Sequence, residues 1–193
     1  SNHVAYVREK NIYVENLESG QIRVLTNRES DTVINGTFDW VYEEELGLRD
    51  GYRWSPDGKA IAYWQLDEEG VPEMNMLNNV SGYYPKLITF RYPKTGETNA
   101  IGRVGVVQLE DGKTTWIKVP GDPRNHYIAR MDWADNSSQL LLQQLNRLQN
   151  QNKVMLAEVL SGNVKTVYTD EDQAWIEVRF GFTQWIEKGK QFT

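Results

Sequence analysis

A turn that recurs ahead of apolar, alternating segments is the feature that most restricts how this chain can fold. A leucine, one or two polar residues and a glycine stand at 17–20, 109–112 and 160–162, each time before a strand-like run. Glycine suits such hairpin turns because it adopts positive φ without a steric penalty. Gly162 follows Gly112 by 50 residues, and blades of β-propellers repeat at roughly 40–50 residues. The repeat therefore predicts antiparallel hairpins that recur at the spacing of propeller blades.

A second unit completes the repeat. A tryptophan, a polar turn and a strand-like run occupy 54–64 and 133–142, and a weaker copy occupies 185–192. Residues 4–14 alternate in the same way around a polar corner, which is typical of a strand hairpin. Combined with the leucine-to-glycine turns described above, these units give four antiparallel strands per period. We predict an all-β fold, an open segment of a β-propeller with about three to four four-stranded blades.

Two stretches fall outside this repeat. One is the acidic segment 39–50, which we expect to be inserted between blades with a short helix, and the other is 67–99. Functional residues are concentrated on such insertions because a rigid scaffold holds them. The second stretch fits either a projecting hairpin that meets a partner or a loop that folds back on its own blade.

Composition narrows the class of protein. The chain has 193 residues, a net charge of −6 and no cysteine. This length suits one domain, and the absence of a basic stripe argues against nucleic acid as a partner. Disulfides and thiolate chemistry are excluded. Residues 1–2 are typical of a tag remnant, and we expect 1–193 to be a piece of a larger protein.

The sequence contains no recognisable catalytic machinery. No Gly-x-Ser-x-Gly turn is present, so a Ser-His-Asp site is not expected in this chain. The histidines are His3 and His126, and we interpret His126 as a structural loop residue. The spacing of histidines and carboxylates predicts no metal site, and no glycine-rich phosphate loop predicts a cofactor.

The strongest candidate for a binding site is the run from Phe38 to Leu46. Glu43, Glu44 and Glu45 are consecutive and follow two aromatic residues. Adjacent carboxylates repel one another, so a fold that holds them in place favours a bound cation. A solvated surface is the alternative, because short charged runs are common on surfaces and acidic residues suit the first turn of a helix.

Residues 39–45, Asp-Trp-Val-Tyr-Glu-Glu-Glu, resemble the double-glutamate motif of the dipeptidyl peptidase IV family. The resemblance continues in order along nearly the whole chain, through the segments 54–58, 62–63, 71–72, 92–96, 126–127, 133–134 and 145–150. It implies an eight-bladed propeller fused to a C-terminal α/β-hydrolase domain that this chain does not contain. It also implies a serine exopeptidase that releases Xaa-Pro or Xaa-Ala dipeptides from peptide N-termini.

The resemblance assigns a role to Glu44 and Glu45, which would bind the α-ammonium group of the substrate. Two carboxylates favour an ammonium ion, which offers three N–H donors for charge-assisted hydrogen bonds. Glu43 would be outward or structural, and Trp40 and Tyr42 would anchor the segment. This piece would recognise substrate without catalysing the reaction. An inactive family member that only binds proteins, or an unrelated binding propeller, remains the alternative.

The resemblance also implies partners and a compartment. These are a peptide N-terminus, the chain's own hydrolase domain, and a second copy in a homodimer formed through 67–99. The implied location is extracytoplasmic, either periplasmic, cell-surface or secreted. Residues 177–180 lie where the family places pocket-lining residues but out of register, so Arg179 receives no role.

Overall fold

A computed structural model of the chain describes residues 2–178, 185–186 and 191–192. The first strands in chain order, with the one helix of the described residues, are β1 (His3–Arg8), β2 (Asn11–Asn16), β3 (Ile22–Val24), β4 (Val33–Asn35), α1 (Trp40–Glu44), β5 (Tyr52–Trp54), β6 (Ala60–Asp67), β7 (Glu73–Asn78) and β8 (Lys86–Arg91). The remaining strands are β9 (Ile101–Gln108), β10 (Thr114–Trp116), β11 (His126–Trp133), β12 (Gln139–Asn146), β13 (Gln151–Glu158), β14 (Val164–Glu171), β15 (Trp185–Ile186) and β16 (Gln191–Phe192).

Two of the sheets are simple antiparallel meanders. The first sheet has the order β1-β2-β3, and the third has the order β11-β12-β13-β14. Their hairpins use the predicted turns, and Gly20, Gly112 and Gly162 all have positive φ, between 68° and 71°. The polar corner of the first hairpin places Glu9 and Lys10 at positive φ as well, as two-residue hairpin turns require. The predicted all-β class and its antiparallel sheets are confirmed.

The middle sheet differs because one of its strand positions is interrupted. Its order is β10-β9-β6-β4, and β5 also pairs with β6. Val33–Asn35 pairs with residues 65–67 of β6, whereas Tyr52–Trp54 pairs with residues 61–63. The acidic segment 39–50 therefore interrupts the strand position beside β6. The expectation that it lies between blades is wrong, because both flanking strands pair with the same neighbour.

The stretch 67–99 leaves the middle sheet between β6 and β9, which pair directly with one another. Within it, β7 and β8 form a two-stranded hairpin of their own, and we call residues 73–91 the hairpin arm. β15 pairs with β16, so a strand pair is present in the weaker third copy at 185–192. The rest of that copy, and Arg179, lie outside the described residues.

The three sheets pack through alternate side chains of β6. Ile61 and Tyr63 face the first sheet in a core that includes Ile12 and Val107. Ala62, Trp64 and Leu66 belong to a larger core that contains the third sheet. Successive side chains of a strand point to opposite faces, so a strand buried on both faces joins two cores. No helix among the described residues is long and apolar enough to cross a membrane.

Candidate functional site

The acidic segment leaves and re-enters the middle sheet at a single point. The N–H of Gly51 donates to the carbonyl of Gly36 at 3.1 Å, and the N–H of Gly36 donates to the carbonyl of Trp64 at 2.9 Å. A Cβ atom on Gly51 would lie 2.5 Å from the carbonyl carbon of Gly36. Only glycine permits this approach of two backbones. The base of the segment is therefore fixed by the sheet, and its free part is 37–50.

Helix α1 begins at a buried aspartate. The carboxylate of Asp39 accepts a hydrogen bond from the N–H of Tyr42 at 3.0 Å, while its own backbone is extended, as is usual for an N-cap residue. Burial raises the pKa of Asp39 to about 6, and the hydrogen bond from Tyr42 opposes that rise only in part. The helix has five residues. Isolated helices of this length are not stable, so contacts outside α1 must hold it.

Tyr42 supplies the principal contact. Its side chain is buried, stacks on Phe38 with ring centroids 5.6 Å apart, and meets Tyr127 edge-on at 6.2 Å. Its hydroxyl oxygen accepts a hydrogen bond from the N–H of Ile128 at 3.0 Å. Burial raises the pKa of this phenol, so Tyr42 stays neutral. The expectation that Tyr42 anchors the segment is confirmed.

Trp40 makes the second aromatic contact of α1. Its ring meets that of Tyr92 edge-on, with centroids 4.3 Å apart, and Tyr92 in turn meets Phe90 at 6.2 Å. Phe90 belongs to β8 of the hairpin arm. The two insertions of the middle sheet are therefore in contact through one line of aromatic rings, and the expected anchoring role of Trp40 is confirmed.

The glutamates lie at the C-terminal end of α1. Glu44 is its last residue and Glu45 is the C-cap, and both are exposed, whereas Glu43 is half-buried. Consecutive side chains leave a helix about 100° apart, so Glu44 and Glu45 can meet at one ligand only through their long, flexible side chains. Their exposure leaves both carboxylates accessible from solvent.

A cation of the chain itself lies beside this acidic run. Nη1 of Arg49 is 2.9 Å from Oε2 of Glu43, and Nη2 of Arg49 is 3.6 Å from Oε1 of Glu44. The Arg49 side chain is mostly exposed, and exposed ion pairs of this kind contribute little to stability. The arrangement shows that a cationic group can reach Glu44.

Comparison with known proteins decides to which family the chain belongs. Residues 1–193 match the family described as the dipeptidyl peptidase IV (DPP IV) N-terminal region. The chain belongs to the dipeptidyl peptidase IV family. It is 30% identical over 183 residues to a probable dipeptidyl peptidase 4 of Emericella nidulans, covering 90% of this chain and 23% of that protein. It is 31% identical over 176 residues to the inactive dipeptidyl peptidase 10 of Rattus norvegicus, covering 89% and 22%.

A solved structure supports the same assignment for the fold. The crystal structure of Porphyromonas gingivalis dipeptidyl peptidase 4 superposes with a TM-score of 0.83 at 32% identity, covering 90% of this chain and 25% of that one. The chain spans about a quarter of the length of these dipeptidyl peptidase relatives. What the structure itself contains is a set of antiparallel sheets and an acidic segment with fixed ends.

In this member of the dipeptidyl peptidase IV family, His126 is not in a loop. It is the first residue of β11 and is buried, which corrects the position predicted for it. Its Nδ1 lies 2.8 Å from Nε2 of Gln144, and its Nε2 lies 3.4 Å from the carbonyl oxygen of Gly102. Burial lowers its pKa. The described residues contain no group of three histidines or carboxylates that could hold a metal ion.

Sequence reasoning missed two arginines at the acidic segment. Arg49 stands four residues beyond the glutamates, and its charge was the only available signal. Arg130, on β11, donates from Nη1 to the carbonyl of Leu46 at 3.1 Å. Its partner lies 84 residues away in the chain, so no local pattern in the sequence connects the two.

Proposed function

We propose that this chain is the substrate-recognition part of a dipeptidyl peptidase, and that Glu44 and Glu45 bind the α-ammonium group of a peptide substrate. The observation that carries this proposal is a pair of accessible, adjacent carboxylates at the C-terminal end of a short helix, in a segment whose base is fixed by the middle sheet. A free α-amino group has a pKa of about 7.7–8.0 in model peptides, and neighbouring carboxylates favour its charged form.

The proposed recognition also explains the length of the product. An ammonium group held at one end of a pocket fixes how many residues reach the nucleophile. In this proposal two residues fit, so dipeptides are released, and the preference for Xaa-Pro and Xaa-Ala rests on the family alone. The nucleophile would be a serine in a C-terminal α/β-hydrolase domain of the parent protein, and the sheets described here would form part of its propeller. Substrate recognition and catalysis would then be divided between the two domains.

The test uses the full-length parent protein and a chromogenic dipeptide substrate with a free α-amino group. A charge-assisted hydrogen bond contributes about 1.5–3 kcal/mol. We therefore expect Glu44→Gln or Glu45→Gln to lower kcat/KM by about 10- to 100-fold. Glu43→Gln, in the same helix, is the matched control and is expected to have a much smaller effect. Equal kinetics for Glu45→Gln and the wild type would refute the proposal.

A noncatalytic protein is the second candidate, because a relative that is 31% identical is described as inactive. In that case the chain would bind partner proteins without any peptidase reaction. A fluorophosphonate reagent that labels activated serines distinguishes the two candidates. Labelling of the full-length protein, blocked by a dipeptide substrate, favours the peptidase, whereas absence of labelling and of hydrolysis favours the noncatalytic protein.

We also propose that the full-length protein forms a homodimer through 67–99. The hairpin arm exposes large apolar side chains on β7 and β8 and at its tip, namely Met76, Leu77, Val80, Tyr83, Tyr84, Leu87 and Ile88. Met76 pairs with Ile88 and Leu77 with Leu87 across the two strands, so each face of the arm carries an exposed apolar pair. Exposed apolar side chains of this kind favour contact with a protein partner. The proposed location is extracytoplasmic, which rests on the family alone and is tested by fractionating cells that express the full-length protein.

A further inference from the structure

Strand β11 contains an irregularity directly opposite the acidic segment. The pairing of β11 with β12 shifts between Ile128 and Arg130, which leaves Ala129 out of the ladder. Bulges of this kind redirect the side chains that follow them. After this one, Nη1 of Arg130 donates to the carbonyl of Leu46 at 3.1 Å, and Nη2 donates to the carbonyl of Val178 at 2.6 Å.

The acidic run is thus held at both ends by the same stretch of β11. Before the glutamates, the hydroxyl of Tyr42 accepts from the N–H of Ile128. After them, the carbonyl of Leu46 accepts from Arg130. The three glutamates occupy the positions in between. Since α1 is too short to keep its own geometry, these two contacts set where the carboxylates lie relative to the third sheet.

We infer that Arg130 is a positioning residue for recognition of the α-ammonium group. It fixes the end of the acidic run, at Leu46, to β11 and to the backbone at Val178. This inference rests on the proposed function of Glu44 and Glu45. Arg130 does not touch the substrate in this scheme, and it acts through the backbone that carries the two carboxylates.

Arginine suits this position better than lysine. The guanidinium group is planar and presents N–H donors in a fixed fork, so one side chain can serve two carbonyl groups at once. A lysine ammonium is a compact charge on a flexible stem and cannot reproduce that fork. Displacements of about 1 Å in positioning groups can cost about 100-fold in rate. Loss of the fork should therefore weaken recognition even though both glutamates remain.

The test compares two substrates of the full-length parent protein. One is a chromogenic dipeptide with a free α-amino group, and the other is its desamino analogue, in which hydrogen replaces that group. The ratio of their kcat/KM values measures recognition of the ammonium group. We expect Arg130→Ala to reduce this ratio about tenfold, mainly through KM of the free-amine substrate. Arg130→Lys should give an intermediate ratio, and added ethylguanidinium should restore the ratio in Arg130→Ala.

Arg103→Ala is the matched control. Arg103 is also half-buried and donates from Nε to Gln65 at 2.6 Å, but its guanidinium lies over the ring of Trp116, away from the acidic run. General destabilisation should lower kcat/KM for both substrates equally in this variant and leave the ratio unchanged.

The outcomes separate this inference from the function on which it rests. If Glu45→Gln reduces the ratio and Arg130→Ala does not, the inference is overturned and the proposed function stands. A wild-type ratio in Arg130→Lys also overturns it, since two carbonyl contacts would then be unnecessary. If Glu45→Gln leaves the ratio unchanged, the ammonium site itself is refuted and Arg130 has nothing to position.

Discussion

Asp39 combines two properties that oppose one another. As the N-cap of α1 it accepts a hydrogen bond from Tyr42, which favours an ionised carboxylate. As a buried residue with Glu68 nearby, it has a pKa raised to about 6, with burial the larger cause. The folded chain therefore binds this proton more tightly than the unfolded chain. Its contribution to stability is fully present below about pH 4 and is lost as the pH rises through about 6.

Asp39→Asn should remove this pH dependence and keep the cap, because asparagine caps helices as well as aspartate. A raised pKa of this size corresponds to at most about 3 kcal/mol. We expect the variant to have a higher free energy of unfolding than the wild type at pH 7.5, with the difference shrinking towards pH 4. Asp39→Ala should lose about 1 kcal/mol relative to Asp39→Asn. Urea unfolding between pH 4 and pH 7.5 measures the free energy of unfolding of the wild type and of both variants. If the difference between Asp39→Asn and the wild type did not change with pH, the raised pKa of Asp39 would be refuted.

Arg49 gives a prediction of the opposite kind, with an effect on binding rather than stability. Arg49→Gln removes exposed ion pairs with Glu43 and Glu44, so the free energy of unfolding should change by less than about 0.5 kcal/mol. With its internal cation gone, Glu44 should bind a substrate amine up to about fivefold more tightly. The KM of the full-length protein for a free-amine dipeptide substrate checks this, and a higher KM would show that Arg49 assists binding.

Single residues also show how far sequence reasoning reaches. The glutamates and their aromatic anchors are neighbours in the chain, so a local pattern was enough to predict that Tyr42 is an anchor. The contact between Arg130 and Leu46 could not be predicted, because it depends on a bulge in β11 and on the packing of two sheets.

At the scale of elements, the site depends on one interrupted strand position. β4 and β5 both pair with β6, and the acidic segment occupies the gap between them. The turns of the repeat were predictable from glycine and polar residues. The place of the insertion was not predictable, because no local pattern in the sequence indicates that residues 33–35 and 52–54 both pair with β6. Pairing between distant segments is decided by the whole sheet.

The link from α1 to β11 can be tested by a change of one atom. Tyr42→Phe keeps the ring stack with Phe38 but leaves the buried N–H of Ile128 without its acceptor. Such a loss costs about 1–3 kcal/mol, which urea unfolding would measure, and the Ile128 amide should exchange faster with deuterium. Tyr6→Phe, on a half-buried ring that stacks on Tyr13, is the control and should change stability by less than about 0.5 kcal/mol. Equal stability of Tyr42→Phe and the wild type would show that water replaces the hydroxyl.

For the whole molecule, the three stacked sheets and the hairpin arm have different roles. The sheets share two cores through β6, so their stability comes from packing that the alternating sequence already indicated. The arm has little packing of its own, and its cross-strand pair Leu77 and Leu87 is more than half exposed. The sequence left open whether 67–99 folds back on its blade. Exposure on this scale favours the projecting hairpin, whose apolar side chains the proposed homodimer would cover.

A charge pair in the arm provides the test of the proposed homodimer. Leu77→Lys combined with Leu87→Glu places opposite charges directly across the two strands, which preserves the hairpin but replaces apolar contact area. We expect the full-length protein to become monomeric in analytical ultracentrifugation, with its melting temperature changed only slightly because both side chains are exposed. Val24→Lys, at an exposed apolar position of the first sheet, should leave the dimer intact. A dimer that survives in the charge-pair variant would show that the two copies meet through another surface.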